Sequence, residues 1–243
     1  MLENLPLYIS ALIAEIAGTI SGFGSSSILL PMAHQFFDYQ NAIILVAIYH
    51  IFGNASRLSL TYHHWDKRIF FLFGIPSVIA TVIGASLVGQ VNPDILKVIL
   101  ATVLSIFAIY SLWRPAFQVT PTPLIGRIGG ALSGFTAWLI GTGGVLRGAF
   151  MTMFGLARER YIATIASIAL LVDFTRIPLY FGQGFLSTEY LRLIPILLII
   201  AYIGSYIGKK IVNHIPTELL KKIILIGIII MSIWLGYQWY SNL

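Results

Sequence analysis

Hydrophobic positions along the chain form long blocks rather than the short alternating patterns of soluble domains. Six blocks have the length of a bilayer-spanning helix, about 17 to 25 residues. They cover residues 41–62, 69–90, 94–113, 161–181, 189–209 and 218–240. Two further blocks, 7–37 and 124–155, are too long for one upright helix, and glycines interrupt both. The pattern predicts an all-α polytopic membrane protein with broken as well as plain spanning helices.

The two broken blocks occupy equivalent places in the two halves of the chain. A polar linker rich in Pro and Thr, residues 114–123, separates the halves. We predict two inverted repeats, 1–115 and 122–243, that form one membrane domain, each with a glycine-broken, re-entrant helical hairpin and three transmembrane helices. A shift of 119 residues places Gly22 on Gly141, Gly24 on Gly143, Asn54 on Asp173, Arg57 on Arg176 and Pro76 on Pro195.

The distribution of basic residues favours re-entrant hairpins over full spans. Suppose that each broken block enters and leaves the membrane on the same side. The basic loop residues then share one side of the membrane, except Lys97 and Arg192, which lie on the other side. Basic loops are typical of the cytoplasmic side, so we expect both termini outside. The residues expected on the cytoplasmic side are Lys67, Arg68, Arg114, Arg127, Arg158, Arg160, Lys209, Lys210, Lys221 and Lys222.

Composition excludes several classes of function. Of the 243 residues, 58% are hydrophobic and 10% charged, against roughly a quarter charged in soluble domains. The net charge of +6 fits loops facing anionic lipid better than nucleic-acid binding. The chain has no Cys and carries no zincin, serine-hydrolase or P-loop motif. We therefore expect no enzyme activity, no cofactor and no metal site.

The glycine-rich interruptions are candidates for an anion-binding pocket. A helix that breaks within a membrane leaves backbone groups unpaired, and these persist only against protein or a watery cavity. Helices that restart after a break direct N–H groups and a positive dipole end at that cavity. Close helix packing through small residues is the alternative interpretation. The candidate residues are Gly22, Gly24, Ser25, Ser26, Gly141, Thr142, Gly143 and Gly144, with the Ser27 hydroxyl as a further donor.

Three arginines within apolar blocks are candidates for ligand contact. Arg57 and Arg176 match across the repeats, whereas Ile28 occupies the position equivalent to Arg147. A guanidinium binds oxyanions through two parallel hydrogen bonds and rarely lies in a membrane without a function. As alternatives, Asp173 could neutralise Arg176 one turn away, and Arg57 could extend to the membrane surface.

Glu15, Asp173 and His50 are candidates for proton coupling. A carboxylate or imidazole that titrates within a membrane could link transport to the proton gradient. The alternative is a structural role, in which each group is buried and hydrogen-bonded, for example Glu15 to a neighbouring hydroxyl.

The motifs around both interruptions resemble those of the TauE/SafE family of membrane transporters, often called sulfite exporters. The resemblance covers nearly the whole chain. Departures from the family pattern fall at Ser25, Ser26, Arg147 and Phe150, within the expected site. The motifs read Gly22-Phe-Gly24-Ser25-Ser26-Ser27-Ile-Leu-Leu-Pro31, Gly141-Thr-Gly143-Gly144-Val145 and Ala163-Thr164-Ile-Ala-Ser167.

The resemblance implies export of a small sulfur-containing anion, such as sulfite or a sulfonate, across the inner membrane of a prokaryote. Combined with the predicted pocket, it suggests a secondary transporter that works by alternating access. Its partners would be a small anionic substrate and the lipid bilayer, and the arrangement is compatible with a homodimer. A passive anion channel is the alternative, because it would use the same donors.

Overall fold

The computed structural model describes residues 4–22, 24–86, 119–139, 141–212 and 214–241, with isolated positions between 98 and 114. These segments are helical and contain no strand. Short 3-10 turns, Tyr62–His64 and Thr188–Leu193, follow α3 and precede α8. The helices are α1 (Leu5–Ser21), α2 (Ser26–Ala33), α3 (Tyr39–Thr61), α4 (Lys67–Ser86), α5 (Pro123–Leu139), α6 (Gly144–Met153), α7 (Arg158–Gly182), α8 (Ile194–Val212) and α9 (Thr217–Ser241).

The all-helical prediction is confirmed for the described segments. Four apolar stretches in them are long enough to cross a membrane: Gln40–His64, Lys67–Ala85, Arg158–Gly182 and Thr188–Val212. They coincide with four of the six plain blocks of the sequence. Helix α9 coincides with the block at 218–240. The block at 94–113 lies largely outside the described residues.

Both glycine-rich stretches interrupt helices. Helix α1 ends at Ser21 and α2 begins at Ser26, while α5 ends at Leu139 and α6 begins at Gly144. Gly22 and Gly141, which match in sequence, both have φ of 75°. This left-handed conformation strains every residue with a Cβ, so glycine at these two positions ends the helices at equivalent places.

Helix positions in the second half repeat those of the first. Adding 119 to the bounds of α1, α2 and α3 gives 124–140, 145–152 and 158–180, within two residues of α5, α6 and α7. The equivalent helices α3 and α7 run antiparallel. Asn41 near the start of α3 bonds to Ser187 beyond the end of α7, and Asp66 beyond the end of α3 bonds to Thr164 near the start of α7.

Helices of each half pack on helices of the other half, in pairs that match between the halves. Helix α1 packs on α8 as its equivalent α5 packs on α4, and α3 and α7 pack on each other. Helix α3 also packs on α8 as α7 packs on α4. The outward faces of α4 and α8 carry large exposed apolar side chains, among them Phe71, Ile75, Ile79, Ile199 and Tyr202. Such faces suit contact with lipid chains.

Helices α4 and α5 approach each other at backbone contact distance. Hydroxyls of α4 cross the seam, since Ser77 Oγ donates to the Gly130 carbonyl at 2.8 Å and Thr81 Oγ1 to the Gly134 carbonyl at 3.0 Å. A Cβ at Gly134 would overlap the backbone carbonyl of Ser77. Small residues at such a seam let membrane helices approach closely.

We expect Gly134→Ala to lower stability by about 1–3 kcal/mol, because overlap with backbone outweighs the gain of about 1 kcal/mol in helix propensity. Thermal unfolding in detergent measures the effect. Gly182→Ala is the matched control, since a Cβ at Gly182 meets nothing within 4 Å. Equal stability of the two variants would contradict the packing argument.

Candidate functional site

The two helix interruptions lie against each other. Ser27 Oγ in the first turn of α2 and Thr142 Oγ1, two residues before α6, form a hydrogen bond of 2.6 Å. Residues 115 positions apart in sequence are thus joined where both helices restart. The predicted breaks therefore share one location inside the protein.

The predicted pocket residues of both breaks are buried. Ser25 is fully enclosed, and its Oγ has no hydrogen-bond partner among the described residues. The Gly143 carbonyl is occupied, because it accepts from Ser133 Oγ at 2.9 Å and from the Arg147 amide at 3.0 Å. The buried set comprises Gly22, Gly24, Ser25, Ser26, Gly141, Thr142, Gly143 and Gly144.

Arg57 on α3 is buried beside Glu15 on α1. Its Nη2 lies 3.2 Å from Glu15 Oε1, and its Nε donates to the Gly53 carbonyl at 3.1 Å. The same carboxylate oxygen accepts from Ser205 on α8 at 2.7 Å and from Thr19 at 3.4 Å. Arg57 therefore does not extend to the surface, and Glu15 has the hydroxyl partners of the structural alternative.

Arg176 on α7 is engaged at all three guanidinium nitrogens. Its Nε and Nη2 both lie 2.8 Å from Asp173 Oδ1. Its Nη1 donates to the carbonyls of Ala137 at 3.0 Å and Gly141 at 2.9 Å. Arg176 thus satisfies carbonyls at the end of α5 and in the second break. Ligand contact by Arg57 and Arg176 stays a prediction, since both already bind groups of this chain.

His50 on α3 connects the halves at the level of Asp173. Its Nδ1 lies 2.8 Å from Asp173 Oδ2. Its other nitrogen, Nε2, faces the backbone of Gly24 so closely that a Cβ there would overlap it. Glycine at position 24, with φ of 88°, therefore lets the imidazole reach the first break.

Arg147 differs from the other two intramembrane arginines. It lies one turn into α6 and is only 2% exposed. Its Nε and Nη1 have no hydrogen-bond partner among the described residues. Asp173, Arg176 and Arg57 are the charged groups whose fields reach it. An uncompensated buried guanidinium is costly, and no ion pair compensates Arg147 within the described segments.

Buried charges of the described segments are not balanced. Arg57, Arg147 and Arg176 are buried together with two carboxylates, Glu15 and Asp173. Each carboxylate pairs with a different arginine, which leaves Arg147. The excess positive charge makes the site suitable for an anion.

Sequence reasoning did not identify two residues that hold this site in place. Ser205 bonds to Glu15 and, at 3.3 Å, to the Gly53 carbonyl. The Tyr180 hydroxyl donates to the carbonyls of Trp138 and Ala137. A signal for Ser205 was present, since it is a hydroxyl between Gly204 and Gly208 in an apolar helix. Tyr180 is indistinguishable in sequence from an interfacial aromatic residue.

Comparison with known proteins gives one result. Residues 7–235 match the family described as Sulfite exporter TauE/SafE. The match extends over both glycine breaks and nearly the whole chain. No curated protein matches the chain at a significant level.

Proposed function

Because the chain belongs to the TauE/SafE family of sulfite exporters, we propose that it is a secondary transporter that moves one small sulfur-containing oxyanion, sulfite or an organosulfonate, out of the cell. The family makes it a membrane transporter of the exporter type. Beyond the family assignment, we propose the transported anion, the outward direction, the cytoplasmic membrane of a prokaryote as the location, and alternating access as the mechanism.

The observation that carries the proposal is the buried guanidinium of Arg147, with Nε and Nη1 unpartnered. These two nitrogens carry N–H donors on different edges of the planar guanidinium, so an oxyanion against either edge would receive a charge-assisted hydrogen bond. The Arg147 side chain is therefore the proposed countercharge of the anion.

Hydrogen-bond donors at the two breaks complete the proposed pocket. Helices α2 and α6 both begin there, and their dipoles favour negative charge at that end. Ser25 offers a buried hydroxyl that has no partner in the described part of the chain. The Ser27–Thr142 bond brings the two helix starts together, so one ion can contact both halves of the protein.

Alternating access is supported by the relation between the halves. The antiparallel course of α3 and α7 and the exchanged packing of α1 on α8 and α5 on α4 are what inverted repeats produce. Two polar connections lie at opposite ends of the α3 and α7 pair. One joins Asn41 to Ser187, and the other joins Asp66 to Thr164. We propose that these connections open in alternation.

A counterflow experiment tests the proposal. Proteoliposomes loaded with radiolabelled sulfite are diluted into buffer with or without unlabelled sulfite. We expect saturable efflux that accelerates several-fold when sulfite is present outside, because a loaded carrier returns faster than an empty one. Empty liposomes provide the background. Unsaturable efflux without acceleration would identify a passive channel, and efflux at the background rate would contradict sulfite transport.

A further inference from the structure

The His50 side chain is a buried titratable group that the proposed anion site does not yet use. It lies on α3, is 2% exposed and binds Asp173 of α7 through Nδ1 at 2.8 Å. Asp173 Oδ1 is occupied by Arg176, so Oδ2 is the oxygen that holds the imidazole. A carboxylate in this position fixes the Nδ1 proton and leaves Nε2 as the place where a second proton binds.

Nε2 of His50 is directed at the first break. It has no hydrogen-bond partner among the described residues, and it lies against the backbone of Gly24. The residue after Gly24 is Ser25, whose buried hydroxyl also lacks a described partner. A protonated Nε2 would therefore donate toward the same region where an anion meets the start of α2.

The charges around His50 make anion binding and proton binding depend on each other. Asp173 of α7 faces it directly, and the fields of Arg176 on α7 and Arg57 on α3 act on it. Burial opposes an imidazolium most strongly, the Asp173 carboxylate favours it, and the two guanidiniums oppose it. An anion at Arg147 adds negative charge nearby and shifts this balance toward the protonated imidazole.

Glu15 is less suited to the same role. Its Oε1 is paired with Arg57 and accepts from Ser205 and Thr19. The geometry therefore selects His50 with Asp173 from the three groups that the sequence suggests for proton coupling.

We propose that the His50–Asp173 pair binds one proton together with each anion, so that the protein is a proton and anion symporter. This inference rests on the proposed function. The proton comes from water on the side where the anion enters, bonds to Nε2 while Nδ1 stays with Asp173, and returns to water on the side where the anion leaves. A sulfite dianion then crosses with one negative charge fewer, and the interior-negative potential still drives it outward.

The test measures how a proton gradient displaces the sulfite equilibrium in proteoliposomes, with the membrane potential clamped at zero by potassium and valinomycin. If one proton accompanies each dianion, a difference of one pH unit is balanced by an opposing gradient of about tenfold in sulfite dianion. In His50→Gln we expect slower flux whose balance point no longer depends on the pH difference. Exposed His214, which bonds to the Lys210 carbonyl, provides the control variant His214→Gln with wild-type coupling.

The outcomes separate this inference from the proposed function. Wild-type flux without displacement by a pH gradient overturns the coupling and leaves sulfite transport intact. Displacement that survives in His50→Gln overturns the role of His50 and shows that the protein selects hydrogensulfite itself. If His50→Gln does not yield a monodisperse protein, His50→Asn provides the second variant, and the same displacement is measured. Absence of wild-type flux contradicts the proposed function and this inference with it.

Discussion

Replacing Arg147 with methionine should reduce sulfite transport strongly and at the same time raise stability. Loss of a buried charge that binds an oxyanion is worth about 2–4 kcal/mol, or roughly 30- to 1,000-fold in kcat/KM. Methionine preserves the volume of the side chain but removes a guanidinium whose Nε and Nη1 have no partner in the described segments. Without substrate we expect a gain of about 1 kcal/mol in unfolding free energy.

The measurements are sulfite efflux from proteoliposomes and thermal unfolding with and without sulfite. Arg147→Lys should recover part of the flux, since it restores the charge without the planar array of guanidinium donors. Arg127→Met is the matched control, because Arg127 is exposed on α5. Wild-type flux in Arg147→Met, or sulfite that stabilises this variant as much as the wild type, would remove Arg147 from the site.

The same substitution at Arg176 should have the opposite effect on stability. Arg176→Met removes the guanidinium that binds Asp173 Oδ1. It also removes the donor to the carbonyls of Ala137 and Gly141. Breaking a buried ion pair from one side costs about 3–5 kcal/mol. We expect the Asp173→Asn and Arg176→Met double variant to recover part of this loss, because no uncompensated charge remains.

A double-mutant cycle of unfolding free energies measures the coupling between Asp173 and Arg176. We expect the two single losses to sum to more than the loss of the double variant. If Arg176→Met were as stable as the wild type and lost only transport, Arg176 would instead be a ligand contact, as the sequence alone suggested. The change in unfolding free energy thus distinguishes the two roles. We expect replacement by methionine to lower stability at a structural arginine and to raise it at a binding arginine.

Much of the helix arrangement could be predicted from the sequence. The blocks of apolar residues predicted α3, α4, α7 and α8, because a helix in lipid satisfies its own backbone and needs only length and apolarity. The glycine interruptions were also visible, since positive φ at Gly22 and Gly141 restricts these positions to glycine. These features depend only on residues that are neighbours in the sequence, so the sequence alone predicts them.

The partners of the buried charges could not be predicted in the same way. Asp173 pairs with Arg176 within one turn of α7, and the spacing of three residues suggested it. The equivalent position beside Arg57 is Asn54, so Arg57 pairs with Glu15 on a different helix. Adding 119 to Glu15 gives Gly134, so the buried carboxylates of the described segments, Glu15 and Asp173, lie at places that are not equivalent. Only tertiary packing brings Glu15 to Arg57.

In the sequence, the match of Arg57 and Arg176 across the repeats made them the first candidates for ligand contact. In the structure, the partners of each arginine are the better criterion. Arg57 and Arg176 match across the halves, and each forms an ion pair with a buried carboxylate. Arg147 has no counterpart, and its guanidinium is the one of the three that forms no ion pair within the described segments. We therefore propose Arg147, the arginine that departs from the repetition, as the ligand contact; this choice required knowledge of the ion pairs.

The difference between Arg147 and its equivalent residue, Ile28, bears on how many anions one chain carries per cycle. Helices α2 and α6 both begin at the shared break, so the backbone alone would offer two similar binding positions. The isoleucine gives the first of them no countercharge, and a second anion beside the first would meet strong repulsion. If Arg147 is the countercharge, we therefore expect one anion per chain, because this single side chain makes the two equivalent positions different.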